Sequence, residues 1–193
     1  MKGKSAVSQT AKKKNKQTEK KSVGHEILSW VLTLAAAVAI ALVIRTFLFI
    51  PVRVDGHSMQ NTLMDKEVVL ATKPEYLRGN FQRRDIVICH YPNRGNTLFV
   101  KRLVALPGDT VEFKDGQLYV NGEYVDETNI DFGSVAHTNL GPITLGEDEY
   151  FVVGDNRGNS NDSRAVGPIS RKMIVAHVQR VVWPLSKFWK DVK

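Results

Sequence analysis

Eighteen consecutive residues without a charge, ILSWVLTLAAAVAIALVI from Ile27 to Ile44, constrain this chain more than any other feature. As a helix rising about 1.5 Å per residue, the run spans roughly 27 Å, close to the thickness of a bilayer hydrocarbon core. Arg45 interrupts it before FLFIPV continues, and a long basic side chain at that depth can snorkel to the interface. A cleaved secretory signal would have a shorter apolar core, of about 7 to 15 residues. The length of the run and its extended basic leader favour an uncleaved anchor over residues 27–50.

The net charge of +7 invites a nucleic-acid reading until its position is considered. Eight lysines against Glu19 and Glu26 place six of those seven charges in residues 1–26. That segment lacks large apolar residues and cannot bury enough surface to fold, so it reads as a disordered tail. Its lysines should stay cytoplasmic beside the anchor, facing anionic lipid rather than nucleic acid. Residues 51–193 then form one extracytoplasmic domain. The single cysteine, Cys89, excludes an internal disulfide.

Beyond residue 66 the pattern is of short strands: EVVLAT, DIVICHY, TLFVKRLVAL, TVEFK, QLYV, EYV, EYFVVGD and IVAHVQRVVW. Asp115-Gly116 and Asn121-Gly122 sit between such runs and predict two-residue hairpins, whose central residues both need positive φ. The expected fold is mainly β: a single N-terminal transmembrane helix followed by an antiparallel, barrel-like catalytic domain. Residues 126–146 read as a long irregular connection. Residues 154–168, GDNRGNSNDSRAVGP, are the most polar and turn-rich stretch. Gly154 to Arg164 holds two aspartates, two arginines and two serines, more interacting groups than a solvated loop needs.

The chemistry narrows by elimination. His57 and Ser58 are neighbours in VDGHSMQNTL, and in extended chain adjacent side chains point to opposite faces, so His57 is a poor base for Ser58. The G-x-S-x-G elbow is absent, and His25, His90, His137 and His177 have no triad context. A sortase-like cysteine mechanism meets the same obstacle at Cys89-His90, within an apolar strand. Residues 155–166 resemble a calcium loop in composition only, and no metal or cofactor is expected. Serine with lysine survives. Lys101 shares a strand face with Phe99 and Leu103, where burial disfavours the ammonium and frees the amine to take a proton. Arg102, on the opposite face, adds like-charge pressure. The competing reading of Lys101 is a side chain snorkelling from an edge strand, and local pattern does not separate the two.

Three stretches, in order behind the anchor, resemble the signature boxes of type I bacterial signal peptidases. They are Ser58-Met59 in GHSMQNTL, Lys101-Arg102 in VKRLVALPGD, and Gly154-Asp155-Asn156-Arg157 through Ser160, Asp162, Ser163 and Arg164. The single anchor and the short connection between the last two boxes resemble the compact form of Gram-positive bacteria. The resemblance implies a membrane-bound serine endopeptidase that removes signal peptides from secreted preproteins, with Ser58 as nucleophile and Lys101 as general base. It implies that Ser160 orients Lys101, and that Asp155, Arg157, Asp162 and Arg164 hold the architecture. Two departures stand out. Asn61 replaces the proline expected after Met59, and Gly56 replaces a serine whose hydroxyl serves some members as an oxyanion donor.

Geometry agrees with that reading. The eight residues from Ile50 to Ser58 reach at most about 26 to 29 Å, so a nucleophile there works near the membrane, where a signal peptide's cleavage site emerges. Trp183, Phe188 and Trp189 near the C-terminus suit either a lipid interface or the core. The rivals are a self-cleaving Ser/Lys protease of the SOS-repressor type, disfavoured by the anchor, and a catalytically silent, membrane-tethered β module that binds peptides or cell-wall components.

Overall fold

The computed structural model describes residues 23–47, 49–73, 81–127 and 137–192. The lysine-rich tail through residue 22 lies outside the described residues. Helix α1 (Val23–Phe47) contains a 20-residue stretch, Gly24–Val43, long and apolar enough to cross a membrane. It starts four residues before the expected anchor and stops short of residue 50. Phe49 and Ile50 instead open the first strand, where they pair with Thr72 and Ala71.

The rest of the chain is built from antiparallel strands: β1 (Phe49–Arg53), β2 (Val68–Thr72), β3 (Ile86–Cys89), β4 (Phe99–Ala105), β5 (Thr110–Lys114), β6 (Gln117–Val120), β7 (Glu123–Tyr124), β8 (Leu140–Thr144), β9 (Glu149–Val153), β10 (Ile169–Ser170), β11 (Ile174–Trp183) and β12 (Lys190–Asp191). A one-turn helix, α2 (Ser163–Val166), lies between β9 and β10. Among the described residues there are two sheets. One runs β1-β2-β11-β3-β4-β9-β10 with β12 on β11, and the other runs β7-β6-β5-β8.

Both Asx-Gly hairpins form as the sequence predicts. Asp115 and Gly116 have φ of 49° and 83°, Asn121 and Gly122 of 55° and 82°, and the flanking residues pair directly across each turn. The middle strands of the large sheet are covered on both faces, so they read as unbroken apolar runs rather than as alternation. Ile86 and Ile88 of β3 enter one core cluster with Val54, Met59, Leu63 and Val69, while Val87 and Cys89 enter another with Leu103, Val152 and Ile169. A third cluster, around Phe113 and Phe151, lies where the smaller sheet meets β4 and β9.

The expected irregular connection over 126–146 needs correction at its C-terminal end. Leu140–Thr144 form β8, paired with β5, with Leu140 and Ile143 against the third core cluster. Gly141-Pro142 disguises the strand, yet both fit an edge. Proline costs no ladder bond on the outer side. Gly141, at φ 105°, passes so close to Val111 that a Cβ would sit 2.8 Å from its carbonyl oxygen. Residues 128–136 of the expected connection lie outside the described residues.

Candidate active site

Ser58 is carried by the loop that joins β1 to β2. Paired backbone bonds close this loop at its base, Val54 N–H to Glu67 O at 2.8 Å and Lys66 N–H to Val54 O at 2.9 Å. Met59 and Leu63, both fully buried, anchor it in the core on the chain's own terms, and Leu63 N–H returns to Met59 O at 2.8 Å. Gly56, at φ 104°, donates its N–H to Asp65 Oδ1 at 2.8 Å, so that N–H is committed to shaping the loop.

Lys101 Nζ lies 2.6 Å from Ser58 Oγ. A second bond, to the Val100 carbonyl at 2.9 Å, aims the amine. Strand β4 sits between β3 and β9, and Lys101 is 2% exposed, so the edge-strand snorkelling reading fails. Its face carries the expected apolar neighbours, with Val87 directly across the ladder and Nζ 5.8 Å from the Phe99 ring centroid. Burial drives the Lys101 pKa below its ordinary value, against smaller opposing influences from Cys89, Asp162 and Asp155. The pair therefore has the geometry of a hydroxyl beside an amine whose charged form is disfavoured by burial.

Arg102 faces the other way, as expected, but exerts no like-charge pressure on Lys101. Its guanidinium is consumed by Asp155, with Nε at 2.8 Å and Nη2 at 2.7 Å, and Nη1 donates to the Arg84 carbonyl at 2.8 Å. Asp155 also accepts from Thr62 Oγ1 at 2.5 Å, tying the loop of the serine to the strand of the lysine. Asp162 accepts the Gly154 N–H at 3.0 Å and a fork from Arg164 at 2.8 and 2.9 Å. Burial pushes the Asp162 carboxyl up, and the Arg164 hydrogen bonds and charge with the Gly154 N–H more than offset it, leaving its pKa below the ordinary value. Arg157 pairs with Glu127 at 2.6 and 3.1 Å, nearly out of solvent. The four charged residues of the polar stretch are thus structural ties, as the resemblance implies.

Ser160 departs from its expected part. Its hydroxyl is buried but makes no hydrogen bond of good geometry, and Lys101 is aimed by a backbone carbonyl instead. Ser160 does lie near enough to Asp162 to add the smallest of the influences holding that carboxyl down. It packs against Gly154, where a Cβ would fall 2.2 Å from Ser160 Oγ and 2.5 Å from the Ser58 carbonyl oxygen. Glycine is required there by space alone.

Three participants escaped the sequence reading. Glu127 lay within an apparently featureless connection, and Thr62 was noted only as part of a pattern. Asn156, quoted within the motif without a role, reaches the carbonyls of His57 and Ser58. His57 itself is exposed, and His90 bonds through Nδ1 to the Thr97 carbonyl at 3.0 Å. Burial pushes the Cys89 thiol up to about 12, opposed by the Lys101 charge, so this cysteine is a core residue with no nucleophilic thiolate.

Ser58 and Lys101 line a cleft of about 180 Å³ together with Val52, Val54, Leu98 and Phe99. A larger cavity of about 330 Å³, walled by Arg83, Asp85, His177 and Asp191, contains neither residue of the pair. The smaller cleft is the one that holds a nucleophile beside a base.

Comparison with known proteins points to one family. Residues 27–183 match the family described as signal peptidase, peptidase S26. A signal peptidase I from Bacillus amyloliquefaciens is 37% identical over 188 residues, covering 93% of this chain and 98% of that one. Signal peptidase I S from Bacillus subtilis strain 168 is 38% identical over 184 residues, covering 90% and 98%. Signal peptidase IB from Staphylococcus aureus strain COL is 34% identical over 179 residues, covering 84% and 93%.

Proposed function

The chain belongs to the signal peptidase family, peptidase S26, in its compact Gram-positive form, and on that premise we propose that Ser58 and Lys101 are its catalytic dyad. Members of this family are membrane-anchored serine endopeptidases that remove signal peptides from preproteins. The observation that carries the assignment is the 2.6 Å contact between Ser58 Oγ and a buried lysine whose pKa is driven down. No histidine has comparable access to the serine.

Neutral Lys101 takes the Ser58 proton as Oγ attacks the carbonyl carbon before the cut, giving a tetrahedral oxyanion. As the C–N bond breaks, the Lys101 ammonium returns that proton to the departing amine, leaving an acyl-enzyme. Water then attacks the ester. Lys101 takes a proton from the water and passes it to Ser58 Oγ as the signal peptide leaves. Strand β1 is an edge, with an unpaired row of backbone groups leading toward Ser58, which suits an extended substrate segment. The small cleft, with Val52, Val54, Leu98 and Phe99 among its walls, suits the short side chains that precede a signal-peptide cut.

In this reading residues 1–26 are cytoplasmic, α1 crosses the membrane, and the β domain works at its outer face. The lysines of the tail suit anionic lipid on the inner side. Trp183, Phe188 and Trp189 are each more than half exposed, which removes them from the core and suits contact with the outer lipid interface. A silent binding module has no use for a buried lysine, its charge disfavoured, held against a serine.

The test is turnover of a fluorogenic peptide with an A-x-A site by the full-length protein in detergent. Ser58→Ala and Lys101→Ala should lose cleavage, and His57→Ala should keep it. Unchanged turnover in Lys101→Ala would overturn the dyad.

A further inference from the structure

Asn156 sits where the loop of the serine meets the polar stretch that follows β9. Its side-chain Nδ2 donates to the His57 carbonyl at 2.9 Å, and its backbone N–H donates to the Ser58 carbonyl at 3.0 Å. A carbonyl oxygen can only accept, so the side-chain amide must present its nitrogen to His57. Asn156 is itself buried, and its carbonyl is held by the Asn159 N–H at 2.9 Å.

The covalent geometry of the chain turns this into a statement about catalysis. The His57 carbonyl and the Ser58 N–H are the two ends of one peptide unit, planar, with the groups directed oppositely. Holding the oxygen therefore fixes the direction of the N–H. That N–H has no acceptor among the described residues. It belongs to the nucleophile, and an N–H on the attacking residue is well placed to meet the oxyanion. The Gly56 N–H is spent on Asp65, and glycine offers no hydroxyl, so the loop has little to share the task. A hydrogen bond to the carbonyl end also polarises the amide and strengthens its N–H as a donor. The Gln60 N–H reaches the same carbonyl at 3.2 Å, a longer contact from within the loop, which cannot reference the loop to the rest of the fold.

We propose that Asn156 is a positioning residue that aims the Ser58 N–H at the oxyanion of the transition state. The inference rests on Ser58 being the nucleophile. It assigns Asn156 a part in kcat and none in substrate affinity or in the titration of Lys101.

The experiment uses the full-length protein in detergent, with the A-x-A peptide and with the matching peptide aldehyde. The aldehyde's hemiacetal on Ser58 Oγ carries its oxygen where the oxyanion forms. Asn156→Leu, nearly the same size but without a donor, should lower kcat about 10- to 100-fold. That is less than the roughly 10²–10³ expected when a donor is removed outright, because the N–H remains but is no longer aimed. KM and the pH midpoint of kcat/KM should stay put, and aldehyde affinity should fall by the same factor as kcat. Asn156→Ala serves the same purpose if the leucine does not fit. The proposal is overturned if folded variants of both kinds keep wild-type kcat. It is also overturned if the loss appears in KM, if aldehyde affinity is unchanged, or if the loss only follows a lowered unfolding midpoint. Turnover by Ser58→Ala in the same assay would instead sink the assignment of the nucleophile.

Discussion

Lys101 and Arg102 are adjacent on one strand, 2% and 1% exposed, and the fold treats their charges in opposite ways. The Arg102 charge is accommodated in the core by Asp155, itself wholly buried, which meets it with two hydrogen bonds, and the Arg84 carbonyl takes a third. Lys101 has no carboxylate in contact, only a hydroxyl and a carbonyl, so burial outweighs the smaller opposing influences of Cys89, Asp162 and Asp155. A guanidinium does not deprotonate in proteins, so a buried arginine must be paired, whereas a lysine left unpaired becomes a base. One strand therefore holds a paired cation on one face and an amine whose charge is disfavoured on the other.

Breaking the chemical side should give the largest effect. Lys101→Met should reduce kcat/KM by about 10³-fold or more, the upper range for losing a general base. Its unfolding midpoint should hold or rise, because an unpaired buried amine has been replaced by an apolar chain of similar length. A Lys101→Met enzyme with unchanged turnover would end the comparison.

On the structural side, Arg102→Met leaves the Asp155 carboxylate buried without a counter-ion, with only the Thr62 hydroxyl among the described residues to meet it. Urea unfolding should show a loss of about 3–5 kcal/mol, most of it recovered in Arg102→Met/Asp155→Leu. Equal losses in the single and double variants would mean that the pair itself, rather than the orphaned charge, is what matters.

The smallest effects come with pH and sharpen the contrast by cause and by window. The Lys101 pKa is lowered in the fold, so between that value and the ordinary 10.5 the unfolded chain binds the extra proton. Stability should rise with pH across that window, the cost of charging Lys101 being felt in full below it, and Lys101→Met should remove this slope. The same ionisation makes kcat/KM rise with pH through the lowered pKa. Asp162 gives a slope of the same sign from the opposite cause, a favourable charge rather than an unfavourable one. Its stabilisation is present above the ordinary 3.8 and is lost as pH falls through its lowered folded value. A pH-independent kcat/KM would mean that no group like Lys101 limits the reaction.

What could be read from the chain follows how local each cause is. The Asx-Gly hairpins are decided within four residues, and both form. The strands VEFK, QLYV and IVIC carry their own signals of propensity and burial. Strand β8 did not, because Gly141-Pro142 interrupts its pattern, and its justification, an edge position against β5, belongs to the partner strand. The same holds at the site. Motif resemblance brought Asp155, Arg157, Asp162 and Arg164 to attention, but not that Arg157 would answer Glu127, or that Ser160 would stop short of Lys101. A partner from another segment leaves no mark on local periodicity.

The sequence by itself determined the apolar helix and the antiparallel character of the domain, and made His57 a poor partner for Ser58. Each follows from covalent geometry and side-chain chemistry over a few residues: an uncharged run long enough for a bilayer, two-residue turns, and neighbours that point apart. Only the tertiary structure decided that Lys101 is buried against Ser58 rather than exposed at an edge, and its pKa is set by what surrounds it. Only the fold brought Ser58 to Lys101 across 43 residues, Arg102 to Asp155 across 53, and Asn156 to His57 across 99. Those contacts are made by packing, and packing is a property of the whole domain.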